Sequence, residues 1–343
     1  MRRLLRFVLI LLLLLAGAAA IGVWRASQWL QTPISGLTDI SVFEVQRGAS
    51  LRSIAQDLHA RGWLDQPQVW IAWARLTNQS AALKAGEYEL APGLTPRTLL
   101  QRLSSGQVIL HSVTFIEGSR YADIRRMLNA NTNIEHKMST ASDADLMAAL
   151  GSPGVHPEGQ FFPDTYHFPR GTSDLDVLSM AHRRMNEALE AAWKSRAPDL
   201  PLATKYEALI LASVIEKETA LDSERPVISG VFIERLKRGM RLQTDPTVIY
   251  GIGDSYDGNI RRADLLRDTP YNTYTRSGLP PTPIALPGAG SLQAAVQPRI
   301  TGALFFVATG KGDGSHYFSA TLAEHQAAVQ RYLRQLRQQS SSR

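Results

Sequence analysis

One apolar segment limits what this chain can fold into. Residues Ala208 to Ile215 are apolar on every side when they are placed on a helix. Such a helix is either buried in a large core or spans a membrane, and this one is shorter than the roughly 20 residues that a bilayer requires. The segment is therefore predicted to be a core helix, and it ends in Glu216, Lys217 and Glu218.

The two glutamates at this helix end are predicted to face different surroundings. At about 100° per residue, Glu218 falls in line with Leu211 and Val214, whereas Glu216 falls with Leu209 on nearly the opposite side. One carboxylate can therefore face a site while the other does not. The alternative is that both glutamates mark a solvated helix end.

The N-terminus carries a second apolar segment, Phe7 to Val23, which is at the short end of the length needed for a membrane span. Arginines precede it and Trp24 and Trp29 follow it, which by the positive-inside rule places the N-terminus in the cytoplasm and the remainder outside. A cleaved signal peptide is the alternative, because residues 18–20 are alanines. The apolar run continues beyond them, which favours an uncleaved anchor.

Composition excludes several classes of function. The 343 residues contain no cysteine, which excludes disulfides, thiol catalysis and cysteine metal sites. The net charge of +6 is compatible with an acidic polymer or anionic lipid, but there is no basic stripe interleaved with aromatics, so nucleic acid is not predicted as a partner. No zincin motif and no Gly-x-Ser-x-Gly motif occurs, and neither a metal nor a cofactor is predicted.

A strand, a glycine and a capped helix follow one another at Val42 to Leu58, and the same order returns near Tyr88 with Thr95 as a predicted N-cap. The first copy resembles the LysM glycan-binding module. A packing subdomain without a ligand is the alternative. Trp70 and Trp73, on a predicted helix between the copies, could stack on sugars or belong to the core.

Three helices are predicted between Ser173 and Gly239, with Ser173 capping the first and Asp222 or Ser223 capping the third. A proline-rich run from 279 to 287 is a plausible wall of a groove for a long polar ligand. Residues 303–309 are predicted to pair with 316–319 as a hairpin.

After these exclusions, catalysis by carboxyl groups outside the membrane remains. This chemistry suggests the cleavage of glycosidic bonds. Ordinary glycoside hydrolysis needs two carboxylates, and Glu218 could act with Asp245, Glu158 or Asp164. A single glutamate suffices if the substrate supplies its own nucleophile. For Glu158 and Asp164, which lie in an aromatic loop, a structural role in ordering that loop is favoured.

Five blocks stand in an order that is similar to the YceG-like family of endolytic murein transglycosylases: Glu158–Tyr166 (EGQFFPDTY), Ala212–Ala220 (ASVIEKETA), Arg241–Gly251 (RLQTDPTVIYG), Tyr271–Pro287 and His316–Ser319. The resemblance covers nearly the whole chain. It implies cleavage of the β-1,4 bond between N-acetylmuramic acid and N-acetylglucosamine without water, which leaves a 1,6-anhydromuramoyl end and terminates glycan elongation.

The resemblance also assigns residues. Glu218 is the implied catalytic residue, and the implied lining of the glycan groove consists of Gln243, Thr244, Asp245, Tyr250, Asn272 and Tyr274. The implied partners are peptidoglycan glycan strands, the inner membrane and neighbouring peptidoglycan synthases (penicillin-binding proteins). Two alternatives remain: a hydrolase (muramidase) in which Asp245 or Glu158 positions water, and a non-catalytic, membrane-anchored glycan-binding protein.

The predicted fold class is α+β, with an N-terminal transmembrane helix, a small LysM-like α/β subdomain and a larger mixed α+β catalytic domain with a buried central helix. The predicted boundaries are 1–6 for a cytoplasmic N-terminus, 7–25 for the anchor, 26–40 for a linker, 41–110 for the LysM-like subdomain, 111–338 for the catalytic domain and 339–343 for a tail. The protein is expected to be a single-pass inner-membrane protein with its catalytic domain in the periplasm.

Overall fold

The structure, a computed structural model, describes residues 2–341. The predicted N-terminus (1–6) and tail (339–343) each lie partly outside the described residues. The described chain is a mixture of helices and short strands, as the predicted α+β class requires, and it forms two compact units. The first unit contains the residues up to His111 together with His167–Gly171, and the second contains Ser112–Tyr166 and the chain from Thr172 onward.

The predicted division at 110/111 stays a prediction. The structural division differs from it in one respect, because the excursion His167–Gly171 belongs with the first unit although it follows much of the second in sequence. Its Arg170 bonds Glu87 of that unit at 2.9 Å, and Glu87 also contacts His111 at 2.6 Å. This ion triad accounts for the placement of the excursion, and a side-chain triad of this kind has no local signature in the sequence.

The N-terminal helix, α1 (Arg2–Gln31), is the one described helix long and apolar enough to cross a membrane, and the apolar side chains of that span are exposed. It continues past the predicted anchor into the segment 26–40 that was predicted to be a linker. Leu30, Ile34 and Leu37 of that segment are buried in the core of the first unit. The segment therefore packs as part of the unit, because its aliphatic side chains are spaced to reach one core.

The first unit is a small two-stranded sheet with helices. Its elements are β1 (Ser41–Val45), α2 (Leu51–Ala60), α3 (Pro67–Leu76), β2 (Gly86–Leu90) and α4 (Pro96–Ser105). Strands β1 and β2 are antiparallel, with Ser41 opposite Leu90. The hydroxyl of Thr95 accepts a hydrogen bond from the backbone N–H of Thr98 at 3.2 Å, which confirms the predicted N-cap of α4.

The two tryptophans of α3 have different environments. Trp70 is fully buried, and its ring N–H donates to the carbonyl of Pro96 at 2.8 Å. Trp73 is half-buried, and the guanidinium of Arg97 lies 5.8 Å from its ring centroid. Of the two roles that the sequence leaves open for Trp70, stacking on a sugar or packing in the core, the structure shows packing in the core.

The second unit is mainly helical. The chain passes between the units at three points, and two of them lie within strands, β3 (Leu110–Thr114) and β5 (Thr165–Pro169). The remaining elements are α5 (Tyr121–Ala130), β4 (Ile134–Glu135), α6 (Asp143–Ala149), β6 (Thr172–Ser173), α7 (Asp174–Lys194), α8 (Lys205–Glu218), α9 (Arg225–Lys237), α10 (Asp245–Ile252), a 3₁₀ turn (Gly253–Ser255), α11 (Arg262–Leu266), α12 (Ala289–Val296), β7 (Phe305–Ala308), β8 (His316–Ser319) and α13 (Leu322–Ser341). β4 pairs with β6 in parallel, and β7 with β8 as an antiparallel hairpin.

Helix α8 carries the apolar segment with which the sequence analysis began. Thr204 caps its start by accepting from the N–H of Glu207 at 3.2 Å, and every residue from Ala208 to Ile215 is buried. The helix packs against α7, α9, α10 and α12. Ser213, the one polar residue of the segment, donates to Ile210 O at 2.7 Å and accepts from Ile284 N at 3.0 Å, so it ties the proline-rich run to the helix.

The beginning of α9 differs from the prediction. The N-cap is Glu224, and its side chain makes no capping bond. Asp222, one of the two predicted caps, is instead bound by the guanidinium of Arg225. Residues 245–252, for which the sequence predicts no particular element, form the short helix α10, with Pro246 in its first turn where a missing N–H costs nothing.

We expect Leu211→Ala to lower the free energy of unfolding by about 2–5 kcal/mol, because Leu211 is fully buried in α8 and its truncation leaves a cavity. Leu266→Ala in α11 is the matched control, since that side chain is 68% exposed and its loss should change stability by no more than about 0.5 kcal/mol. Urea unfolding of the detergent-solubilised chain measures both, and equal effects would contradict this account of α8.

Candidate active site

A cavity of about 490 Å³ lies at the C-terminal end of α8. Its charged and polar lining comes from α8, α9, the chain entering α10, the loop after α11, the β7–β8 hairpin and α13, and it consists of Glu218, Arg235, Gln243, Asp245, Tyr274, His316 and His325. Aromatic and aliphatic side chains, among them Phe305 and Phe306, complete the wall. The size and the mixture of surfaces are typical of a site for a small polar ligand or a section of a longer one.

Glu218 is the last residue of α8, and its Oε1 accepts a hydrogen bond from the hydroxyl of Thr244. The pKa of Glu218 is raised to about 7, and desolvation is the largest cause. The negative charge of Asp245 also raises the pKa, whereas the Thr244 hydrogen bond and the positive charge of Arg235 lower it. A substantial fraction of this carboxyl group is therefore protonated at neutral pH.

Thr244 is held by a buried group of hydroxyls. Its N–H donates to Thr273 Oγ1 at 3.1 Å, and its carbonyl accepts from Thr247 Oγ1 at 2.7 Å. The hydroxyls of Thr247 and Thr273 lie 2.9 Å apart, and all three threonines are buried. This arrangement fixes the backbone of Thr244, so its hydroxyl has a defined direction toward Glu218.

Gln243 precedes Thr244 in the left-handed region, with φ of 50°, which is uncommon for a residue other than glycine. Its N–H donates to Thr273 O at 3.2 Å, which holds the strained conformation in place. Strain of this kind is found most often at binding and catalytic sites. Gln243 lines the cavity, as the glycan-groove prediction expects of it.

Asp245 and Tyr274 form a pair at the cavity. The phenol of Tyr274 donates to Asp245 Oδ1. Burial raises the pKa of Tyr274, and the Asp245 carboxylate raises it further, so the phenol remains protonated. Asp245 therefore lines the cavity as a hydrogen-bond acceptor, and the bond from Tyr274 fixes its position.

Three of the residues predicted to line the groove are not part of the lining of this cavity: Thr244, which is buried and reaches Glu218 through its hydroxyl, Asn272 and Tyr250. Asn272 is buried, and its Nδ2 donates to three backbone carbonyls of the segment 264–267. Its Oδ1 accepts from Tyr274 N at 2.8 Å, so Asn272 supports the loop that carries Tyr274. Tyr250 lines a separate pocket, and its hydroxyl donates to Glu158 Oε2 at 3.1 Å.

The other carboxylates considered from sequence are engaged elsewhere. Glu158 is buried and accepts from Tyr121 N at 2.9 Å as well as from Tyr250. Burial raises the pKa of Glu158 to about 7, but this residue does not line the Glu218 cavity. Asp164 is paired with Arg184 and bonds the backbone N–H of residue 165. Of the four carboxylates, Glu218 and Asp245 share the cavity.

Glu216 is separated from Glu218, as helical phase predicted. Its Oε2 accepts from Gly288 N at 3.0 Å, and its Oε1 lies 3.5 Å from Nη2 of Arg225. The Glu216 carboxylate therefore joins α8 to α9 and to the start of α12. It does not line the cavity that contains Glu218.

The sequence analysis did not assign Arg235 or His316 to the site. Arg235 is buried in α9, and it donates to Leu304 O and to Leu242 O, both at 2.7 Å. In the sequence it looks like an ordinary basic residue in the last turn of a helix. His316 belongs to one of the five blocks of the family resemblance, which implies no role for it, and the fold of the hairpin brings it to the cavity that Glu218 also lines.

A metal is not indicated at this site. Among residues 2–341, no group of three or more histidine, aspartate or glutamate side chains is arranged to hold a metal ion.

Comparison with known proteins adds independent information. A family model described as the YceG-like family matches residues 43–331. The endolytic murein transglycosylase of Bacillus subtilis (strain 168) is 30% identical over 306 residues, which cover 84% of each chain. The endolytic murein transglycosylase of Streptococcus pneumoniae serotype 2 is 25% identical over 83% of this chain, which spans 57% of that protein.

A solved structure is also similar. The crystal structure of a YceG-like protein from Listeria monocytogenes is 26% identical to this chain, with a TM-score of 0.50. The match covers 84% of this chain and 99% of that one. The similarity therefore extends over both compact units.

We expect two substitutions to move the pKa of Glu218 in opposite directions. Thr244→Val removes a hydrogen bond that stabilises the carboxylate and should raise the pKa above about 7, whereas Asp245→Asn removes a repelling charge and should lower it. The titration of the Glu218 ¹³C-carboxyl signal, assigned by its loss in Glu218→Gln, measures both. Asp199→Asn, at an exposed position, is the control, and shifts of the same sign would contradict this description.

Proposed function

The chain belongs to the YceG-like family, and on that basis we propose that it is a peptidoglycan lytic transglycosylase, a lyase acting on polysaccharides. The relatives from Bacillus subtilis and Streptococcus pneumoniae are named endolytic murein transglycosylases. The proposed reaction cleaves the β-1,4 bond between N-acetylmuramic acid and N-acetylglucosamine within nascent strands. It forms 1,6-anhydromuramoyl ends and so terminates glycan elongation.

One observation carries the assignment of Glu218 as the catalytic residue. The Glu218 carboxyl group lies at the edge of a cavity, and its pKa is raised to about 7. It can therefore donate a proton and afterwards accept one near neutral pH. Such matching of pKa to operating pH is what a residue that alternates between general acid and general base requires.

The mechanism follows from this single group. Protonated Glu218 donates to the bridging oxygen as the bond from muramic acid C1 breaks, and the N-acetylglucosamine end leaves with a free 4-hydroxyl. The Glu218 carboxylate then takes the proton of the C6 hydroxyl of the same muramic acid, whose oxygen bonds to C1. Because the nucleophile belongs to the substrate, its effective concentration is high and no bound water is required.

Neighbouring residues have supporting roles in this proposal. The Thr244 hydroxyl orients the Glu218 carboxyl, and the negative charge of Asp245 favours its protonated form before the first step. That charge also stabilises the positive charge that develops at C1. Gln243 and Tyr274 line the path of the glycan, and Asn272 supports the loop that carries Tyr274, whereas Tyr250 lines a separate pocket and bonds Glu158.

The proposal extends to the location of the enzyme. Helix α1 anchors the chain in the inner membrane, with the N-terminus in the cytoplasm and the catalytic part in the periplasm, where the nascent glycan is found. On the LysM-like resemblance, we also propose that residues 41–110 form a glycan-binding subdomain. The antiparallel strands β1 and β2, together with α2 and α3, support a small α/β unit there. Peptidoglycan synthases are the proposed neighbours.

A muramidase is the second candidate, and one observation favours it. Asp245 shares the cavity with Glu218, so two carboxylates are present as hydrolysis by a held water requires. Asp245 is, however, engaged by Tyr274. A hydrolase would leave reducing muramic acid ends in place of anhydro ends.

We expect wild-type enzyme to release products with anhydromuramic ends and Glu218→Gln to release none, because the amide can neither donate nor accept the proton. Mass spectrometry of a digest of uncross-linked glycan strands measures both. Glu190→Gln on α7 is the matched control, since that glutamate is bound to surface lysines and should leave the products unchanged. Reducing muramic acid ends in the wild-type digest would show that the enzyme is a hydrolase and not a lyase. Full cleavage by Glu218→Gln would show that Glu218 is not the catalytic residue.

The pH dependence of cleavage provides a second test. Protonated Glu218 starts the reaction, and its pKa is raised to about 7, so kcat/KM should fall about tenfold per pH unit above that value. Asp245→Asn should move this descending limb to lower pH, and Thr244→Val should move it to higher pH. A limb that stays in place in both variants would show that another group controls the first proton transfer.

A further inference from the structure

The β7–β8 hairpin contributes a histidine to the Glu218 cavity, and that histidine is held by a carboxylate from a different element. Nδ1 of His316 lies 2.6 Å from Oε2 of Glu224. The backbone N–H of His316 donates to the other carboxylate oxygen at 3.0 Å. Both oxygens of Glu224 therefore serve one residue that is 92 positions away in the chain.

The position of Glu224 makes this pairing costly for its own helix. It is the N-cap of α9, where a side-chain oxygen ordinarily accepts from one of the unpaired backbone N–H groups of the first turn. Glu224 makes no such capping bond. The carboxylate bonds the imidazole and leaves the N–H groups of the helix end without a side-chain cap. A departure from the usual capping pattern is expected where function requires it.

The ring of His316 is restrained in orientation as well as in position. Its side chain is 13% exposed and that of Glu224 is 14% exposed, so the pair is largely shielded from solvent. Phe306 packs edge-on against the imidazole, with centroids 5.5 Å apart and planes at 89°. Because a carboxylate can only accept, Nδ1 donates in this bond, and Nε2 is the ring nitrogen that remains for another partner.

The Nε2 atom is the part of the ring that remains for a ligand. Within residues 2–341, no hydrogen bond to Nε2 of His316 accompanies the one at Nδ1. The ring lines the same cavity as Glu218, Gln243 and Asp245. An imidazole nitrogen held in place among these polar groups fits a hydrogen bond with a sugar hydroxyl.

We propose that His316 is a substrate-binding residue, held by Glu224, whose Nε2 accepts a hydrogen bond from a sugar hydroxyl of the glycan next to the bond that Glu218 cleaves. The proposal rests on the proposed function for its substrate class. It assigns Glu224 as a positioning residue, because Glu224 acts through the imidazole. A purely structural role, in which the Nδ1–Glu224 bond merely fastens the hairpin to α9, is the alternative.

Two substitutions separate these roles because each keeps one nitrogen position of the ring. The amide of Asn in His316→Asn reaches the Nδ1 position and retains the bond to Glu224, but leaves nothing at the Nε2 position. The longer Gln of His316→Gln reaches the Nε2 position and gives up the Nδ1 bond. We expect His316→Asn to keep the wild-type Tm and lose about tenfold in kcat/KM, the effect of one hydrogen bond to substrate.

His316→Gln should show the opposite behaviour. We expect a lower Tm, because Glu224 is left without its imidazole partner, and a kcat/KM that is restored to within about threefold of wild type when assayed well below that Tm. Glu224→Gln should lower kcat/KM by less than His316→Asn, since an amide can still accept from the ring. Wild-type kcat/KM in His316→Asn, or parallel losses of activity and Tm in both His316 variants, would overturn the proposal in favour of the structural role.

A binding measurement keeps this test independent of the cleavage chemistry. In the Glu218→Gln background, the Kd for an uncross-linked N-acetylglucosamine–N-acetylmuramic acid oligosaccharide should rise about tenfold on adding His316→Asn and much less on adding His316→Gln. Product ends decide between lyase and hydrolase, whereas the order of the two His316 variants decides the role of His316. An absence of glycan binding by Glu218→Gln would contradict both proposals.

Discussion

The burial of helix α8 is the constraint on which the second unit depends. Eight consecutive side chains from Ala208 to Ile215 are buried, so the helix must be covered on all sides, and α7, α9, α10 and α12 cover it. Ser213 satisfies its polar atoms by bonding the backbone at Ile210 and Ile284, which brings the proline-rich run against the same helix. Glu218 appears where this cover ends, at the edge of a cavity.

The same loss of solvent that stabilises the core sets the acidity of the site. Desolvation raises the pKa of both Glu218 and Glu158 to about 7. A raised pKa therefore does not distinguish the carboxyl group that is proposed to be catalytic from a structural one in this fold. Geometry does, because Glu158 is enclosed by Tyr121 and Tyr250, whereas Glu218 lines an open cavity beside Asp245.

Polar residues behind the cavity wall hold the residues in front of it. Asn272 binds the loop that presents Tyr274, and the hydroxyls of Thr247 and Thr273 fix the backbone at Thr244. Each of these buried polar groups has its hydrogen-bond partners, which makes the arrangement rigid. A rigid surround is what a single acid needs if it is to meet first the bridging oxygen and then the C6 hydroxyl of one bound sugar.

Periodicity along the chain was enough to predict the helix ending at Glu218, its separation from Glu216, and the β7–β8 hairpin, because each depends on neighbours close in sequence. Sequence also indicated α4 with its cap at Thr95. The contacts that build the site join residues far apart: Thr244 meets Glu218 across 26 positions, and His316 meets Glu224 across 92. Such pairs depend on how helices and loops pack in three dimensions, and helical phase carries no information about them. The sequence pattern and the family resemblance therefore led to Glu218 and to several residues near it, whereas the contacts among them and the exclusion of Thr244, Asn272 and Tyr250 from the cavity lining came from the packing.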